Sequence, residues 1–351
     1  MTRVTQRFPL LDCLRIIAML DIVSIHLTHR YLIAGAGLPI FIVTAIALAV
    51  RKPELPPLGE AAIRRTHRIL LPWLVWSIFF GLNRLFWASF NPDHSLAWYF
   101  YPWMLAAGTA VHLWFLPFIF AAEIAVVAIL RPLQRLHSGW VIAGAIAAGF
   151  FCIWLTGLIY DRHDEMTAAI TADQMTYRDH AELFSWTVRK SWLFASASVC
   201  LGVALGRTLS LSGSPAARRI ILAAATVIFA ASFVWEYWPT GPIHGHAVWQ
   251  WWRQAAAFFA VAIAIQYTGK TPAWITRVAV LTMGIYLLHS WCDARVYGSI
   301  LPRLWRMEWP VDLGPTMRSI AYSQVGRLTL IWLVTALLVT LLRRTPARLI
   351  L

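Results

Sequence analysis

The sequence predicts an all-α protein: a polytopic transmembrane bundle of about ten spans, with N- and C-termini cytoplasmic. Three observations carry this expectation. Of the 351 residues, 59% are hydrophobic and only 13% charged, against about 45–50% and about 25% in soluble domains. Mean hydropathy is +0.63. Apolar runs long enough to cross a bilayer recur along the whole chain, and they leave no room for a large soluble domain. Residues 1–351 therefore read as a single integral membrane domain.

The runs lie at 10–27, 32–50, 69–90, 111–130, 139–160, 188–208, 219–236, 248–267, 275–291 and 325–342. The first contains Asp12, Arg15 and Asp21 with no small-residue cleavage pattern after it, so it reads as a retained span and not a signal peptide. The second and ninth are short enough to be tilted or re-entrant. The longest polar stretch, 161–187, reads as a solvated outer loop able to fold over the mouth as a lid. Its cluster of Asp161, Arg162, His163, Asp164 and Glu165 resembles a metal site only superficially, and no metal is expected. Four isolated cysteines, Cys13, Cys152, Cys200 and Cys292, read as buried thiols.

The net charge of +14 does not read as a nucleic-acid footprint, because the basic residues are spread over short loops between apolar runs. With the N-terminus inside, more than half of the 30 Lys and Arg residues fall on the cytoplasmic side, as charge-directed insertion requires. The longer outer segments carry most of the acids. Many of the 20 tryptophans gather near the outer ends, among them Trp98, Trp103, Trp235, Trp238, Trp249, Trp251, Trp252, Trp291, Trp305 and Trp309. An interfacial belt explains them. A one-sided enrichment also fits a stacking platform for sugar rings.

Ionisable residues inside spans are costly and mark paths or reactions. Arg15 and His26 stand eleven residues apart in the first run. On a helix that returns to within about 20° of the same direction, about 16 Å further along. His26, His112 and His289 fall at the outer ends of three spans, at one expected depth. Glu123 repeats the eleven-residue spacing from His112. Histidine suits removal of a hydroxyl proton near neutral pH. His289, Tyr286, His112 and Trp114 are candidate donors to a developing oxyanion. Arg15 offers a fixed fork of donors. Arg64, Arg65 and Arg68 suit nucleotide phosphates at the inner face, although the positive-inside rule explains them equally well. Glu123 and Arg253 read either as lining the acceptor path or as internal ion pairs. Arg84 reads as structural. Asp21 points about 120° away from the Arg15–His26 face, toward a neighbouring helix.

Four patterns together carry a resemblance. They are Leu11-Asp12-Cys13-Leu14-Arg15 followed by His26; Arg64-Arg65-Thr66-His67-Arg68-Ile69-Leu70-Leu71-Pro72-Trp73; His112-Leu113-Trp114-Phe115-Leu116; and Met283-Gly284-Ile285-Tyr286-Leu287-Leu288-His289. In this order they resemble the acyltransferase-3 family of integral membrane O-acyltransferases, which is built of ten spans and has an arginine and a histidine separated by ten intervening residues in the first. The chain departs from the family's Phe-Phe-x-x-Ser-Gly pattern in the second span, reading Phe41-Ile42-Val43-Thr44-Ala45.

The resemblance implies transfer of an acyl group, commonly acetyl, from cytoplasmic acetyl-CoA or another acyl-CoA to a hydroxyl on a carbohydrate or lipid-linked glycan. An exopolysaccharide or other surface-glycan precursor is the expected acceptor. It also implies a multi-pass protein of the bacterial cytoplasmic (inner) membrane, with the lipid bilayer and polysaccharide assembly proteins as partners and no nucleic acid. The rival reading is a transporter or flippase in which Arg15, Glu123 and Arg253 line a path for an anionic solute or lipid-linked glycan. Inverted repeats and matching Gly/Pro-broken spans, which would favour it, are not evident.

Overall fold

The computed structural model describes residues 8–28, 32–33, 35–52, 54–90, 100, 104–135, 138–169, 177–211, 246–267, 269–306, 319 and 321–345. Every regular element among them is helical. The chain divides into two compact units, Met1–Leu38 with Tyr267–Leu351, and Pro39–Gln266. The run at 219–236 lies outside the described residues.

Unit one holds α1 (Pro9–Thr28), the first residues of α2 (Gly37–Val50), α10 (Ala273–Ala279), α11 (Thr282–Arg295), a π-helical turn at Val296–Ile300, α12 (Leu301–Arg306) and α13 (Gln324–Leu342). Helix α1 packs against α10, α11 and α13, and α11 also packs against α13. Its buried residues are mostly apolar, with Leu11, Ala18, Met19 and Val23 at 3% exposure or less, but they include Asp21 and Ser24. Helices α10 and α11 are bent by 52° at a short break. Ser323 caps α13 by accepting from the Gly326 N–H, the usual use of a hydroxyl at a helix start.

Unit two holds the rest of α2, then α3 (Leu58–Arg65), a π turn (Thr66–Leu70), α4 (Leu71–Ala88), α5 (Met104–Ala107), a 3-10 turn (Val111–Trp114), α6 (Phe115–Leu130), α7 (Ser138–Ala169), α8 (Tyr177–Leu211) and α9 (His246–Gln266). Helices α7 and α8 pair along their length, and α9 packs on both. Helix α2 meets α8 at two glycines. A Cβ on Gly202 would lie 2.8 Å from Ile46 Cβ, and one on Gly206 would lie 2.6 Å from the Ala47 carbonyl. Both approaches are closer than any side chain permits.

By length and composition five described helices are able to cross a membrane, at Leu58–Phe86, His112–Leu130, Ser138–Gly157, Arg189–Ser210 and Gln324–Leu342, and a sixth is counted if the bent pair is one span. Helix α1 is 20 residues long but carries Asp12, Arg15 and Asp21. Helix α2 is apolar but only 14 residues long. The loop expected from residue 161 onward is corrected. Helix α7 continues to Ala169 and α8 begins at Tyr177, so the 161–165 cluster is helical. Polar residues continue a helix once the apolar turns before them have nucleated it.

Candidate active site

Helix α1 is continuous from Pro9 to Thr28, so Arg15 and His26 share one helix, three turns apart. Arg15 Nη1 stands 3.7 Å from Asp12 Oδ1, and its side chain is 38% exposed. His26 is exposed. Its ring lies against that of His289 on α11, with centroids 5.3 Å apart and planes tilted by 38°.

His289 is completely buried. Its Nδ1 lies 2.7 Å from the Tyr286 carbonyl. A carbonyl only accepts, so Nδ1 carries the hydrogen, and Nε2 of the neutral ring is the acceptor. Ser290 Oγ sits 3.1 Å from that nitrogen, placed to donate to it. In this tautomer His289 offers a lone pair and not the N–H that an oxyanion would need. The Tyr286 ring is buried beside it, 6.2 Å away between centroids. The arrangement is an accessible imidazole backed by a buried one whose orientation is fixed by its own helix.

One turn beyond His289, Asp293 holds Arg327 of α13 through two hydrogen bonds of 2.8 and 2.6 Å. The guanidinium also lies 5.1 Å from the Tyr297 ring centroid, and the Tyr297 hydroxyl donates to the Ala321 carbonyl. Sequence reasoning singled out neither Arg327 nor Asp293. The two are 34 positions apart, so no local spacing signals their meeting.

In unit two, Arg65 Nε pairs with Glu123 Oε2 at 2.6 Å, with the Glu123 side chain 5% exposed. Glu123, read from the sequence either as lining the acceptor path or as part of an internal ion pair, is thus paired with an arginine expected at the nucleotide phosphates. Arg64 pairs with Glu60 at 3.1 Å on an exposed face, and Arg68 is exposed. His112 is buried, edge-on to the Phe80 ring at 5.1 Å. Trp114 packs among Phe115 and Phe118. Arg253 is buried on α9. Its neighbour Gln254 is fully buried and joins two helices, accepting from Ser198 Oγ and donating to the Phe194 carbonyl. Arg84 Nε donates to the Thr109 carbonyl at 2.6 Å. Asp21 Oδ1 accepts from Leu32 and Ile33 N–H at 2.8 Å each, and Oδ2 accepts from Gly37 N–H at 3.0 Å.

Of the outer tryptophans, Trp98, Trp103, Trp235, Trp238 and Trp309 lie outside the described residues. The side chains of Trp252 and Trp291 are half-buried. Among the described residues no group of three or more His, Cys, Asp or Glu is arranged to hold a metal.

Apolar helices of spanning length define the class, a multi-pass membrane protein, and in it the exposed His26 ring lies against the buried ring of His289. The family follows from comparison. The profile of the acyltransferase-3 family, described as an acyltransferase domain, matches residues 8–343, and the chain belongs to that family. No curated protein and no solved structure matches.

Proposed function

We propose that this protein is an O-acyltransferase that moves acetyl from cytoplasmic acetyl-CoA to a sugar hydroxyl of an exopolysaccharide or other surface-glycan precursor. On this reading it lies in the bacterial inner membrane, with ten spans and both termini in the cytoplasm. The observation that carries the proposal is the His26–His289 pair in ring contact. His26, exposed at the end of α1, is the base. It takes the acceptor's hydroxyl proton as the oxygen bonds to the thioester carbonyl carbon. The carbon–sulfur bond then breaks, and the CoA thiolate leaves and recovers a proton from His26. His289 orients its partner with a ring that its own helix has locked. Arg15, three turns deeper, faces the donor's arm. Arg64 and Arg68 are available to its phosphates, while Arg65 is engaged by Glu123.

Purified protein is expected to acetylate a glycan acceptor from acetyl-CoA. His26→Ala should lower kcat by about 10²- to 10⁴-fold with an unchanged melting temperature in detergent. Full activity in that variant would defeat the proposal.

A further inference from the structure

Cysteines that stand far apart in the sequence do not all stand apart in the fold. Cys152 on α7 and Cys200 on α8 are free, half-buried thiols, and their side chains hydrogen-bond one another. Packing explains the meeting. Helices α7 and α8 pair along their length. Gly149 precedes Cys152 by one helical turn and shares its face of α7. A Cβ on Gly149 would lie 3.4 Å from Cys200 Cβ and 3.7 Å from the Ala197 carbonyl, so α8 covers this face. Helical side chains lean toward the N-terminal end of their helix. That lean carries the Cys152 sulfur back over the Gly149 turn, toward Cys200.

Both sulfurs lie inside apolar stretches of spanning length, Ser138–Gly157 and Arg189–Ser210. They stand about 8 and 15 Å from the nearer ends of those stretches. On α7, Phe150, Phe151 and Trp154 are exposed, as expected of a spanning helix that meets lipid. Cys152 sits between these aromatics and α8. The thiol pair is therefore approached from the hydrocarbon layer rather than from water. Glutathione is charged and stays out of that layer, whereas a hydroperoxide on a fatty acyl chain is already in it. Among the described residues no group of three or more His, Cys, Asp or Glu is gathered, so the pair lacks the further ligands of a metal site. Two-electron oxidation is the chemistry that two touching thiols offer.

We propose that Cys152 and Cys200 form a redox site that a lipid hydroperoxide converts to a disulfide. One sulfur bonds to the terminal peroxide oxygen as the O–O bond breaks. The displaced alkoxide takes that thiol's proton and leaves as the lipid alcohol, and the sulfur is now a sulfenic acid. The second sulfur then bonds to the first as the S–O bond breaks, and its proton departs with the hydroxide as water. The two thiols lose two electrons in all, and the hydroperoxide is reduced to an alcohol and water. Because the thiols already touch, closure asks little of the two helices. Neither cysteine takes part in the acyl transfer proposed above.

The test uses reduced, full-length protein in liposomes, treated with cumene hydroperoxide, which partitions into the bilayer. The protein is then denatured in N-ethylmaleimide and mapped by mass spectrometry. Wild type should carry maleimide on Cys13 and Cys292 only and give a linked Cys152–Cys200 peptide pair, lighter by two hydrogens, that dithiothreitol separates. Cys152→Ser and Cys200→Ser should each abolish the link and leave the remaining cysteine alkylated or oxygenated. Wild type in which Cys152 and Cys200 both stay alkylated, gain oxygen without joining, or join Cys13 or Cys292 instead overturns the proposal. Hydrogen peroxide, which favours water, should form the link several-fold more slowly at equal concentration. Equal rates would overturn arrival of the oxidant through lipid.

Discussion

Among the described residues each unit buries one carboxylate in an apolar helix, and the two are stabilised by opposite means. In unit one, Asp21 is 1% exposed and is satisfied by three backbone N–H groups at the start of α2. Those donors are fixed by the chain's path, so the carboxylate serves as a cap that ties the entry of α2 to the middle of α1. In unit two, Glu123 is 4% exposed and is held by a guanidinium, the end of a flexible side chain. Charge inside a span therefore does not by itself mark chemistry. Backbone partners indicate architecture, while a side-chain partner leaves room for exchange.

The sharpest way to break this contrast is Asp21→Ala. Three backbone N–H groups lose their acceptor; that of Gly37 is buried, at about 1–3 kcal/mol, while those of Leu32 and Ile33 are only partly buried, so the variant should melt at a clearly lower temperature in detergent. A variant as stable as the parent would remove the distinction. Glu123→Gln should cost less, about 2 kcal/mol, because Arg65 is 27% exposed and can turn toward water. Pairing it with Arg65→Met should restore most of that loss. If the double variant is no better than the single, the pair is not exchangeable. The smallest effect is expected for Arg64→Ala. Its bridge to Glu60 joins side chains 62% and 59% exposed, which limits the change to about 0.5 kcal/mol. The same variant should raise the KM for acyl-CoA about tenfold if this guanidinium meets phosphate. An unchanged KM would assign it to topology alone.

Hydropathy located the helices well where lipid contact and helix coincide. The expected 10–27 and 325–342 became Pro9–Thr28 and Gln324–Leu342. It failed where they separate. Helix α2 begins at Gly37 and not near residue 32, because Gly35 takes φ of +79° and Asp21 claims the amides before it. Helices α7 and α8 outrun their apolar cores because polar residues continue a helix as well as apolar ones do. Span nine breaks at residues 280–281, where no proline or glycine announces a bend. In the site, the Arg15–His26 spacing was readable because it is local and charged. The contact of His26 with His289 rests on packing between α1 and α11, which no sequence interval encodes.

Where Gly202 and Gly206 let α2 settle onto α8, main chain touches main chain. That seam has no room for even one added carbon, so the two helices are held at a spacing that the glycines alone permit, and Gly202→Leu should force them apart at the expense of the fold.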